Sequence, residues 1–425
     1  TGASNTAVGH NSLQDNTTGS ENVAIGKSAL ANNTTAGENT AVGQNALLTN
    51  TTGAANTALG KSSLASNTTA SNNTAIGKSA LGANTTGIQN VAVGVEALDT
   101  NTTGSYNTAS NNTAVGRNSL SANTTGGTNT ALGAEALLRN TTGSDNTAVG
   151  VNPMTDNTTG TNNVAVGKRA LKSNTTASSN TSVGYHSLEE NTTGENNASL
   201  GATSLTANTT GSSNTAIGMN ALRDNTTASN NTAVGLNSLL VNTTGATNTA
   251  VGGSAMSANT TGGTNTAIGQ SALGSNTTAS NNVAVGFNAL GANTTGGSNT
   301  AVGRLSLDAC TSGGNNVALG DSAGGANTTG EKNTFLGKSA GAGVTTGGEN
   351  TLVGNICADD LVDGNTNTII GYNMSMSNTG TDAAIAIGSD IAAPSSNKVR
   401  IGVANGLAEL TLDGSDTSWA ASSDS

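Results

Sequence analysis

Residues 39 to 55 read Asn39-Thr40-Ala41-Val42-Gly43-Gln44-Asn45-Ala46-Leu47-Leu48-Thr49-Asn50-Thr51-Thr52-Gly53-Ala54-Ala55, and at Asn56 the same pattern starts again. Counting the Gly that closes the first element, from Gly9 through Gly43, Gly77 and Gly218 to Gly388, gives 23 copies of this seventeen-residue unit. A fixed short period is the signature of a solenoid, in which each repeat buries its few apolar atoms against the repeats before and after it.

Composition alone would suit a disordered chain. With 33% hydrophobic, 9% charged and 1% aromatic residues in 425, the large side chains are too few to offset the entropy of ordering one globular core. Disorder, however, gives no reason to hold an aliphatic residue at the fourth position of all 23 copies, or Gly at the fifth. The Asn, Thr and Gly in every copy exclude helix. The fold class expected is therefore all-β, a parallel β-solenoid or β-roll of 23 seventeen-residue coils.

Within one coil, numbered from its leading Asn, positions two to four are β-branched or small and end at Gly, which predicts a short strand closed by a sharp bend. Positions seven to nine, as in Ser28-Ala29-Leu30, predict a second strand or extended segment, and Asn-Thr-Thr-Gly a turn. Pleating sends positions two and four to one face and three to the other. Position four is always Val, Ile or Leu, so its face is assigned to the inside of the coil. Position nine is Leu in sixteen of the first eighteen copies and Met154 or Met256 in the other two, so it too is expected to be buried.

Late in the chain the ninth position shrinks to Gly324, Gly341, Ala358 and Ser375, while the third grows to Phe335, Leu352 and Ile369. Such an exchange keeps volume constant if the two columns face a shared space. Because position three points away from position four, that space is expected outside the single-chain coil. The reading is an inter-chain core formed by Leu13, Leu30, Leu47, Leu64, Phe335, Leu352 and Ile369, with two identical chains completing a homotrimer about a central axis.

Asn leads 22 of the 23 copies and recurs at position twelve in the first seventeen, from Asn16 to Asn293. Stacked amides can hydrogen-bond along an axis, each satisfying the next; the competing reading is glycosylation, since Asn-Thr-Thr is an acceptor sequon. A five-residue insertion at 107–111 interrupts the period, either as a surface loop left by a duplication slip or as a contact site. Residues 1–388 form the repeat shaft on this reading. Residues 389–425, where Ala393-Pro394-Ser395-Ser396 breaks the pattern and Trp419 is the only tryptophan, form a cap or transition segment.

The net charge of −11 is spread thinly, with no basic stripe and too few aromatics to stack bases, so nucleic acid is not expected as a partner. No apolar stretch approaches a membrane span, and no signal peptide is recognised. The chain starts inside a repeat without Met, which reads as a processed or partial piece of a longer polypeptide. Cys310 and Cys357 stand almost three coils apart, too far for an intrachain disulfide at roughly 4.8 Å per coil; two buried thiols or an inter-chain bridge remain. His10 and His186 lie about ten coils apart and cannot share a site. Asp359, Asp360 and Asp363 read as a solvated turn or a weak Ca²⁺ site. Catalysis needs unlike groups converging on one point, whereas a strict repeat spreads like groups along a line. Neither enzymatic activity nor a cofactor or metal is expected.

Two resemblances add to this reading. Asn22-Val23-Ala24-Ile25-Gly26-Lys27-Ser28-Ala29 and Asn163-Val164-Ala165-Val166-Gly167 resemble the head repeats of trimeric autotransporter adhesins, over residues 5 to 388. That resemblance implies a trimeric, left-handed parallel β-roll. Asn397-Lys398-Val399-Arg400-Ile401-Gly402, followed by Trp419-Ala420-Ala421-Ser422-Ser423-Asp424, resembles the junction where phage tail fibres and tail spikes pass into an endosialidase-type intramolecular chaperone. In that family the chaperone helps three chains trimerise and then cuts itself off near a Ser-Asp pair, which implies a maturation cleavage region at Ser423 and Asp424, preceding a missing or cleaved chaperone. The basic segment that continues the family's motif is not present here.

The function expected is a structural and adhesive fibre, a phage tail fibre or similar extracellular or virion surface appendage. It would hold an attachment element at a distance of roughly 110 Å over 23 coils and touch a cell-surface glycan or receptor through its variable positions. The alternative is an ice-binding β-solenoid with ladders such as Thr34-Thr35 and Thr51-Thr52, although adjacent threonines point to opposite faces. A polysaccharide depolymerase would need two convergent carboxylates.

Overall fold

The computed structural model describes residues 2–102, 111–411 and 420–422. It is all-β and contains no helix among them: a parallel β-solenoid of about 23 turns at seventeen-residue spacing. The chain divides into two compact units, Thr1–Asn214 and Thr215–Ser425. The first carries strands β1 (Thr6–Val8) to β12 (Ala198–Leu200), the second β13 (Thr215–Ile217) to β26 (Ala420–Ser422). Almost every strand is three residues long, as the spacing predicts. Neighbours pair parallel and in register, with Thr40 opposite Thr57, Ala41 opposite Ala58 and Val42 opposite Leu59. Across the insertion Val91 still faces Thr113, so the ladder resumes in register there. Of that insertion only Asn111 lies within the described residues.

The fifth position shows why Gly is invariant. At Gly60 the backbone has φ +138°, and a Cβ there would stand 2.5 Å from the Gly77 carbonyl oxygen of the next coil. Only Gly adopts this angle at so close an approach.

The interior is built from the opposite face to the one expected. The third position, Ala24, Ala41, Ala58 and onward, has no exposed surface, whereas the fourth stands outside: Leu59 is 46% exposed and Leu200 50%. The ninth position is buried as expected, but inside the coil of a single chain. Leu30, Leu47 and Leu64 retain no accessible surface, and Leu13, in the first coil, is half-buried. Phe335, Leu352 and Ile369 are likewise sealed within one chain. The inter-chain core assigned to these seven residues is therefore corrected: they pack within their own coil and have almost no surface left for a partner. The volume exchange is real. A Cβ at Gly341 would lie 2.4 Å from Phe335 Cε1, and one at Gly324 would lie 2.5 Å from Phe335 Cδ2. The ring thus occupies the room that two missing leucines leave open. The physical reason for the inversion is thinness, because a coil only one side chain deep accepts Ala on one wall and Leu on the other.

The second expected strand is also different. Positions seven to nine form a turn in the regular coils, with positive φ at seven and nine, as at Asn45 (φ 60°) and Leu47 (φ 48°). Leu in this left-handed region costs on the order of 1 kcal/mol or more and persists only where packing over-determines it. The segment still pairs along the axis, since Leu47 N donates to Ser63 O at 3.0 Å. Bridges appear there only late, between Cys357 and Met374 and between Ser375 and Ala392.

In the second unit, β24 (Lys398–Val403) continues the parallel ladder from β23 (Ile385–Ser389), and β25 (Gly406–Thr411) then reverses to pair antiparallel with it. Glu409 on β25 accepts from Lys398 Nζ at 2.7 Å and from Arg400 Nη2 at 2.5 Å.

Candidate interaction surface

Two interior columns of asparagine bond one coil to the next, and they differ in chemistry. At position twelve the amides bond to one another: Asn67 Nδ2 donates to Asn50 Oδ1 at 2.7 Å and to Ala70 O at 3.0 Å. At position one the side-chain Oδ1 of Asn39 accepts the backbone N–H of Asn56 at 3.0 Å, while Asn39 Nδ2 donates to Gly53 O at 2.9 Å. Both columns are buried from coil to coil, so their repetition has a structural explanation. Threonine at position thirteen adds a third ladder, with Thr51 Oγ1 donating to Thr68 O at 3.0 Å. That hydroxyl is engaged within the stack, which leaves only the fourteenth position, such as Thr52, as an exposed rank of the Thr-Thr pair.

Departures from the ladders have local consequences. Cys310 replaces the position-twelve Asn, and its thiol donates to Gly313 O at 3.4 Å instead of reaching back. Asn293 Oδ1 in the preceding coil is left buried without a hydrogen-bond partner. Both cysteines are buried and free. Burial pushes the Cys310 thiol up to about 11 and the Cys357 thiol up to about 12, so neither is a reactive thiolate at neutral pH. Of the acidic cluster, Asp360 accepts the backbone N–H of Met376 at 2.8 Å, and no group of three or more His, Cys, Asp or Glu among the described residues is placed to hold a metal. His186 pairs with Glu189, which also meets Arg169 at 2.7 Å. His10 takes no part in that cluster. Ser423, Asp424 and Trp419 lie outside the described residues.

The outside of the sheet is the feature that sequence reasoning placed wrongly. Of the large hydrophobic side chains exposed among the described residues, all but Ile88 and Val362 lie at positions two, four and six or on their continuation at Ile401 and Val403. One side of the coil is therefore an aliphatic face. The signal was present: Ala or Ser alone at position three of the first nineteen copies marks close packing, while free exchange of Val, Ile and Leu at position four marks a roomier site.

A second, polar feature lies at positions fourteen to seventeen of the second unit. Gly348 carries no side chain between Glu331 and Asn365, and the resulting hollow of about 260 Å³ is bordered by the Lys332–Glu349 ion pair at 3.0 Å. Among the described residues no helix is long and apolar enough to cross a membrane. Compared with known proteins, the chain matches no family model, no curated protein and no solved structure.

Proposed function

We propose that this chain is a spacer segment of a fibrous surface appendage, of the kind found on phage tails or cell surfaces, assembled from three identical chains. The observation that carries the reading is axial satisfaction of polar groups. Asn39, Asn50 and Thr51 each bond to the neighbouring coil, and the same bonds recur coil after coil. Stiffness is thus supplied along one direction by groups that repeat instead of converging. Exposed polar positions, including the hollow beside Gly348, offer many weak contacts to a glycan or receptor, and weak contacts on a repeat sum through effective concentration.

A length series tests the reading. Removing residues 231–281, three whole coils, is expected to shorten the particle by about 14 Å in electron micrographs at unchanged width. A compact particle, or one whose length does not respond, would overturn it.

A further inference from the structure

We propose that the outer sheet face, positions two and four, is covered by further copies of this chain running in the same direction, with the basic border of one copy against the acidic border of the next. The number of copies rests on the trimeric reading of the fibre, whereas the face and its direction stand on the aliphatic column and the two charged columns that flank it.

Position four never takes a polar residue in 23 copies, although its side chains stand half in water. The face runs along all twelve strands of the first unit, a length over which an interface of standard size, about 800 Å² per partner, can form. It also has a pitch. A partner that covers it coil by coil must repeat every 4.8 Å or so, which a second copy does by construction and an ordinary globular partner does not.

Charge then selects the direction. In the first unit, position six carries Lys27, Lys61, Lys78, Arg117 and Lys168 and no acid. Positions sixteen and seventeen there carry Glu21, Glu38, Asp145 and Glu195 and no base, in a chain whose acids outnumber its bases 25 to 14. All nine side chains are exposed. Position six follows the Gly that closes the strand, and sixteen and seventeen precede the Asn that opens it, so the two charge columns border the aliphatic face on opposite sides. Lys78 and Arg117 reach Glu96 and Glu135 at position seven of their own chain, while Lys27 and Lys61 make no ion pair among the described residues. Rotating one copy about an axis along the stack brings its basic border to its neighbour's acidic border. An antiparallel pair brings like borders together, which costs energy. Three is the smallest ring in which each copy uses its two borders on two different neighbours.

The test uses the whole chain. Val42→Cys, on the proposed face near one end of the first unit, is expected to cross-link to itself under mild oxidation, because equivalent residues meet only in a parallel, in-register assembly. Thr52→Cys on the far side, and the native chain with its two buried thiols, are expected not to. Leu59→Glu with Ile76→Glu should reduce the sedimenting mass to that of one chain with the β-sheet dichroism unchanged, since both positions are half-exposed. Lys27→Glu with Lys61→Glu should weaken association several-fold at low salt, and adding Glu21→Lys with Glu38→Lys should restore it. A native mass of 40.9 kDa, absence of the Val42→Cys cross-link, or failure of the double reversal to rescue would each overturn the inference. A single-chain mass would remove the three-chain assembly from the proposed function as well, but it would leave untouched the length series, which tests the spacer itself.

Discussion

The regular coils of the first unit and the coils around Phe335 solve one packing problem in two ways. In the former, Ala58 and Leu64 face the same interior from opposite walls; in the latter, Phe335 and the glycines at 324 and 341 do so with large and small exchanged. The backbone is almost indifferent to which wall carries the bulk, as Gly341 has φ 58° and Leu64 φ 50°. What differs is how the left-handed turn is held. Leu needs its buried contacts to stay there, whereas Gly adopts it freely and contributes no packing of its own.

The largest expected effect attacks that exchange directly. Gly341→Leu places a side chain on the Phe335 ring with no flexible end to yield, and the coils around it are expected to unfold well below the rest of the chain, by thermal melts or hydrogen exchange. Next, Phe335→Ala should cost about 3–5 kcal/mol through the cavity it leaves. Adding Gly324→Leu should recover part of that loss, measured as a coupling in a double-mutant cycle. Additive effects would mean that the two columns do not share a space. Smaller still, Cys310→Asn should stabilise by about 1 kcal/mol, because it restores a donor for the orphaned Asn293 Oδ1; an unchanged denaturation midpoint would count against the ladder.

The smallest effect concerns the β24–β25 hairpin. The hydrogen bond from Lys398 leads, opposed by partial desolvation and reinforced by Arg400, and together they hold the Glu409 carboxyl below the ordinary glutamate range. A depressed carboxyl pKa adds stability that is present above the unfolded-state value and is lost as pH falls through the folded-state value. Glu409→Gln should therefore cost up to about 1 kcal/mol near neutrality, since the pair is largely solvent-screened. That difference should vanish in acid, as followed by exchange of the β25 amides.

Period, strand length, the Gly bend and the alternation of faces were legible in the sequence because each rests on local geometry. Which face lies inside was not. Size reasoning puts Val, Ile and Leu in and Ala out, and it fails where the interior is one side chain deep. The αL turn at position nine was hidden for a related reason, since Leu is a poor guide to positive φ; the glycines at 324 and 341 were the available hint. The exchange of Phe335 with those glycines correctly indicated a shared space and wrongly located it between chains. The two charge borders were readable as columns, yet they acquire meaning only once the sheet face between them is known to be outside.

A chain in which the Asn39 side-chain oxygen receives the N–H of Asn56, and so on upward, is a mould in which each layer casts the next. Moulds of this kind recruit strangers as readily as kin, which is how stacked parallel strands propagate into fibrils. The reversal at Gly406–Thr411 changes that mould: laid antiparallel on β24 and paired antiparallel in turn with β26, it replaces the slanted parallel pattern of donors and acceptors with perpendicular bonds. Loosening this hairpin should leave the β24 edge open to a further parallel strand and raise the tendency to form fibrils.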